Sequence, residues 1–161
     1  MGEHRAAWLP NGLSGFAHEG FPGLSLRMPV KFPDPDTELT QILVVGDLER
    51  ARDFWTQVMG ATVFREYGGT SCVLQLMGNW LLLVTGGGPT ADKPHVTFEP
   101  PREPDSVGHL MTIRVADCRS AYQELMRRGA RFLTPPVESD WEVRAFFRDP
   151  DGHLLEISQA K

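Results

Sequence analysis

Hydrophobic positions fall into order only from Thr40 onward. Thr40-Gln41-Ile42-Leu43-Val44-Val45 is apolar and β-branched, as a strand buried on at least one face requires. Asp47 can cap a helix whose apolar positions Leu48, Ala51, Phe54, Trp55 and Val58 recur every three or four residues, with Gly60 as its stop. Residues 62–66, 71–76 and 80–84 then read as three strands, the last two joined by a Gly78-Asn79 turn. Residues 85–106 carry Gly86-Gly87-Gly88 and five prolines, a connector with a short edge strand expected at His95-Val96-Thr97-Phe98. The first order then returns. Residues 110–115 predict a strand, Asp117 a cap, Ala121, Tyr122, Leu125 and Met126 a helix face, and Gly129 its end. Three more strands follow at residues 130–133, 142–147 and 153–157.

Asp117 follows Asp47 by 70 residues and Gly129 follows Gly60 by 69. Two similar halves of order βαβββ are therefore expected, packed together as a duplication rather than as a solenoid. Module 1 covers residues 39–85, the linker 86–106 and module 2 residues 107–159, all within one domain of residues 38–161. Residues 1–37 show no period and hold nine Pro and Gly positions between Pro10 and Pro35, which predicts a tail. Trp8, Phe16 and Phe21 are its candidate anchors if it docks on the domain or on a second subunit.

Composition narrows the function classes. A net charge of −5 gives no basic footprint for nucleic acid. No apolar run reaches membrane-spanning length or resembles a secretory signal, so a cytoplasmic protein is expected. Cys72 and Cys118 are too few for a disulfide framework. Gly86-Gly87-Gly88-Pro89 lacks the Lys-Ser/Thr of a phosphate loop, and no G-x-S-x-G or Ser-His-Asp set suggests covalent catalysis.

The segment Arg148-Asp149-Pro150-Asp151-Gly152-His153-Leu154-Leu155-Glu156-Ile157 resembles the closing hairpin of the vicinal oxygen chelate superfamily, which includes glyoxalase, bleomycin-resistance and extradiol-dioxygenase domains. Leu43 to Ala51 with Phe54 resembles that family's first strand and helix, so the resemblance covers residues 39–159. It implies an α+β fold in which the two βαβββ modules curl into a half-open mixed β-barrel, helices outside, around a concave cleft. It also implies a metal held by first and last strands, at Thr40, Leu110, Leu83 and Glu156 here. Only Glu156 of these binds a divalent ion well, which points away from a metal. A one-residue shift would bring Gln41 and His109 to Glu156, at the expense of the packing of Leu43, Val45, Ile113 and Val115.

Alternation from Thr112 places Arg114 on the cleft side, and the resemblance places Arg144 and Phe146 there beside Glu156. Two arginines and a glutamate suit a carboxylate, phosphate or phenolate, and Trp141 at the mouth can stack on a planar group. Glu156 is the one candidate base. The sequence thus supports a cofactor-free binder of a small anionic or planar molecule, with Thr40, Leu83, Thr112, Arg114, Trp141, Arg144, Phe146 and Glu156 lining the site. Two alternatives stand beside it. One is a divalent-metal lyase, isomerase or dioxygenase using Gln41, His109 and Glu156. The other is a noncatalytic module whose cleft holds a partner's tail. The resemblance implies a homodimer in each case.

Overall fold

Each module builds its own sheet from the elements that the pattern predicts. The computed structural model describes residues 32–103 and 105–161, so the expectations for Trp8, Phe16 and Phe21 lie outside the described residues. Module 1 runs β1 (Thr40–Val45), α1 (Leu48–Asp53), a π-helical turn (Phe54–Val58), β2 (Thr62–Tyr67), β3 (Ser71–Leu76) and β4 (Asn79–Thr85). Module 2 runs β5 (Met111–Arg114), α2 (Cys118–Arg127), β6 (Arg131–Phe132), β7 (Val137–Glu138), β8 (Glu142–Arg148) and β9 (Leu154–Ala160). The sheet orders are β1-β4-β3-β2 and β5-β9-β8-β6, with β7 also on β8. In both, the first strand lies parallel to the last, and the remaining pairs are antiparallel. Neither sheet closes, which gives the half-open α+β architecture. Residues 38–161 make one compact unit.

The helix signals act as read. Asp47 Oδ1 accepts Arg50 N–H at 3.0 Å and Asp117 Oδ1 accepts Ser120 N–H at 2.9 Å. Gly129 closes α2 at φ +105°, with Ala130 N–H on Leu125 O and Gly129 N–H on Met126 O. In module 1 the same ending is one residue wider. Ala61 N–H reaches back to Trp55 O and Gly60 N–H to Thr56 O. The π turn absorbs that extra residue, which is why the two repeat offsets differ by one.

Alternation along the strands sets two faces. Leu43, Val45, Cys72, Leu74, Leu81 and Leu83 pack with Ala51 and Trp55, while Ala145, Phe147, Leu155 and Ile157 pack with Cys118. Each large side chain there contributes about 1.5–3 kcal/mol by leaving water. The opposite faces carry Thr40, Ile42, Trp80 and Leu82 in module 1, and Thr112, Arg114, Arg144, Phe146, Glu156 and Ser158 in module 2.

The linker departs from expectation. Residues 95–98 form no strand, only an isolated bridge from Phe98 to Gly87, because the prolines around them remove ladder donors. Gly86 is required there, since a Cβ would stand 2.7 Å from Phe98 O. The short β7 was not anticipated, and β6 is shorter than residues 130–133.

The Asp149–Gly152 hairpin joins the modules. Asp151, its side chain only 2% exposed, accepts Gly46 N–H at 2.8 Å and Arg50 Nη2 at 3.0 Å. His153 Nε2 donates to Val44 O at 2.8 Å, which fixes the tautomer, since a carbonyl only accepts. Asp149 Oδ1 accepts from Asp151 N and His153 N, and burial pushes its carboxyl up. Among the described residues no helix is long and apolar enough to cross a membrane.

Candidate functional site

The hairpin between β8 and β9 is latched onto module 1, whereas among the described residues its counterpart between β3 and β4 makes no such contact, and a cleft opens beside it. It measures about 430 Å³ and is walled by Leu39, Gln41, Met77 and Trp80 of module 1 facing Thr112 and Arg114 of β5. At the corresponding end of module 2 the cavity is only about 60 Å³, lined by linker residues Pro101, Ser106 and Val107 together with His109 and His153. Trp80 is held edge-on by Phe64, ring centroids 5.0 Å apart. Phe64 reaches it from a bulge, where Val63 pairs with Leu74 but Arg65 with Val73.

From Thr112 and Arg114 a polar face extends across β9 and β8. Thr112, Glu156 and Phe146 form one row across the strands, and Arg114, Ser158 and Arg144 the next. Thr112 Oγ1 donates to Glu156 Oε2 at 2.6 Å. Arg114 Nη1 donates to Ser158 Oγ at 2.6 Å, Ser158 Oγ donates to Glu142 Oε2 at 2.7 Å, and Arg144 Nη1 donates to Glu142 Oε1 at 3.1 Å. Arg144 also lies against the Phe146 ring, 5.5 Å from its centroid, and 4.0 Å from Glu156 Oε1. The Ser158 hydroxyl, together with the charges of Arg144 and Arg114, holds the Glu142 carboxyl below its usual range. Glu142 thereby pins one Nη of each guanidinium and leaves the rest of both forks facing outward.

The structure thus brings Thr112, Arg114, Arg144, Phe146 and Glu156 onto one face. Thr40 shares the module 1 face with Trp80. Leu83 does not line the cleft. It is fully buried on the helix side opposite Leu43, and Leu82 takes the outward position. Matching Gly78 with Gly152, the glycines of the two hairpins, preserves the pleat and sets Leu82 rather than Leu83 against Glu156. Trp141 stands 74% exposed at the mouth of β8. Ser158, wholly buried at the centre of the network, was missed, although alternation two residues on from Glu156 pointed to it. Burial raises both cysteine thiols, so neither is an activated nucleophile.

The residues do not fit a divalent ion. Thr40, Leu110 and the outward Leu82 supply no strong ligand beside Glu156. Gln41 lines the large cleft and donates to Ile42 O at 3.1 Å, while His109 lines the small cavity with its ring 6.5 Å from that of His153. Glu156 lies on the polar sheet face with Oε2 bonded to Thr112. The shifted set Gln41, His109 and Glu156 therefore does not converge, and among the described residues no three His, Cys, Asp or Glu side chains do.

Known proteins share this architecture. The family model of the Glyoxalase/Bleomycin resistance protein/Dioxygenase superfamily matches residues 38–157. A lactoylglutathione lyase of Escherichia coli O157:H7 is 26% identical over 131 residues, 76% of this chain and 92% of that protein. The glutathione transferase FosA of Serratia marcescens is 28% identical over 116 residues, 71% of this chain and 74% of that one. Among solved structures, a glyoxalase/bleomycin resistance protein/dioxygenase from Alicyclobacillus acidocaldarius aligns with a TM-score of 0.60 at 20% identity, covering 80% of this chain and 94% of that one. TnmS3, an antibiotic binding protein from Streptomyces sp. CB03234, aligns at 0.54 and 22% identity, over 78% and 96%. At such identities these two likenesses establish the fold alone.

Proposed function

Given that the chain belongs to the Glyoxalase/Bleomycin resistance protein/Dioxygenase superfamily, we propose that it binds a small planar molecule with an anionic group in its open cleft, without a metal. The supporting observation is that the cleft has Trp80 on one wall and Arg114 on the other, and that beyond Arg114 it continues onto the polar face of module 2, where Glu142 anchors Arg144 as well and both arginines offer guanidinium N–H groups. Planar apolar area stacks on the first wall and a carboxylate or phosphonate takes the second. Binding antibiotic, as the name of TnmS3 states for that protein, is one use of such a cleft. The chemistry named for the lactoylglutathione lyases would fall here to Glu156 as the one candidate base, and no step follows from it alone. A homodimer belongs to this reading, supported by the exposed Leu39, Val63, Phe64 and Met77 of module 1. So does a cytoplasmic location.

Thermal shift with benzoate and phenylphosphonate in excess chelator tests the reading. Stabilisation that disappears in an Arg114→Met, Arg144→Met double variant is expected. Stabilisation only after a divalent ion is added would contradict it.

A further inference from the structure

Glu156 is 8% exposed, and its two oxygens are unequally served. Oε2 takes the Thr112 hydroxyl at 2.6 Å, while among the described residues Oε1 has only Arg144 Nη1 at 4.0 Å, beyond hydrogen-bonding distance. Arg144 Nη1 is engaged instead by Glu142 Oε1 at 3.1 Å. Glu156 Oε1 thus keeps an open acceptor position at the edge of the polar face, one that a donor on a bound molecule can fill. Its cross-strand neighbour Phe146 adds apolar surroundings, in which a charge-assisted bond gains strength.

We infer that the molecule held in this cleft is amphoteric, with an anionic head on Arg114 and Arg144 and an ammonium or amidinium donor on Glu156 Oε1. The inference rests on the cleft proposed above and adds the chemical class of its occupant. Charge supports it: Glu142 and Glu156 balance the two arginines, so a plain anion seated on the guanidiniums meets a like charge at Glu156, whereas a zwitterion satisfies both ends. Spacing supports it as well. Arg114 and Arg144 flank Ser158 on either side, and Ser158 follows Glu156 by one pleat repeat along β9. Donor and anion are therefore separated by about 7 Å in the bound molecule. A metal on Glu156 is not the alternative, because the other ligands do not gather there.

Calorimetric titration of the full chain in chelator with para-aminomethylbenzoate, benzoate and benzylamine tests this. The zwitterion spans the required separation and is expected to bind on the order of tenfold tighter than benzoate, with benzylamine weakest. Glu156→Gln, which removes the like charge that a plain anion meets, should tighten benzoate and reduce the preference to within about twofold. Benzoate binding as tightly as the zwitterion in the wild type would overturn the inference and leave the cleft reading standing. A preference that survives in Glu156→Gln would overturn the role of Glu156. Binding of none of the three probes would overturn the cleft reading and the inference together.

Discussion

The two modules share element order, sheet topology and helix caps, yet their hairpins behave oppositely. The β8–β9 hairpin offers Asp151 and His153, and both reach the end of β1 to bond Gly46, Arg50 and Val44. The β3–β4 hairpin turns through Met77 and Gly78 at φ +51° and +77° and lines the open cleft instead. Their sheet faces diverge in the same way, apolar around Ile42, Trp80 and Leu82, charged around Arg114, Arg144 and Glu156. Duplication thus supplies a near-symmetric scaffold, and the loss of symmetry distinguishes its two ends: one joint closes module 2 onto module 1, and the other, open among the described residues, is where the proposed site lies.

Perturbing one module at a time should expose this division. Leu83→Ala is expected to cost about 2–5 kcal/mol in urea unfolding, whereas the outward Leu82→Ala should cost about 1 kcal/mol. Similar losses for the two would contradict the assignment of faces. Asp151→Ala removes a buried acceptor from the joint and should cost about 1–3 kcal/mol by the same measurement. At the open hairpin, Met77→Asn should instead gain a few tenths of a kcal/mol (~0.3), because Asn accepts positive φ more readily than Met. Trp80→Ala is expected to weaken benzoate about threefold to tenfold in calorimetry while Trp141→Ala leaves it unchanged.

The acid limb of stability gives the smallest effect. Glu142 titrates below its unfolded range, so its contribution is complete above that range and fades as pH falls through the lowered value. Melting temperature against pH should accordingly flatten at the acid end in Glu142→Gln.

Much of this was legible in the sequence, because the informative residues act locally. Asp47 and Asp117 cap, Gly60 and Gly129 terminate, and alternation puts Thr112 and Arg114 on one face. What was missed depends on long-range register. The choice between Leu82 and Leu83 turns on one residue of alignment through a hairpin, and the π turn that shifts the repeat by one leaves no compositional mark. Likewise Arg128 reaches Val58 O and His153 reaches Val44 O across the modules, contacts that no local pattern encodes. The divided network around Glu142 and Ser158 is visible only once β5, β9 and β8 lie side by side.

Amide and guanidinium chemical-shift mapping of the chain titrated with benzoate in excess chelator tests most directly whether the open joint is a metal-free ligand site. Shifts centred on Thr112, Arg114, Arg144 and the Trp80 indole, with the His109 and His153 end silent, are the predicted result. Shifts that require added divalent ion, or that cluster at the latched end, would contradict it.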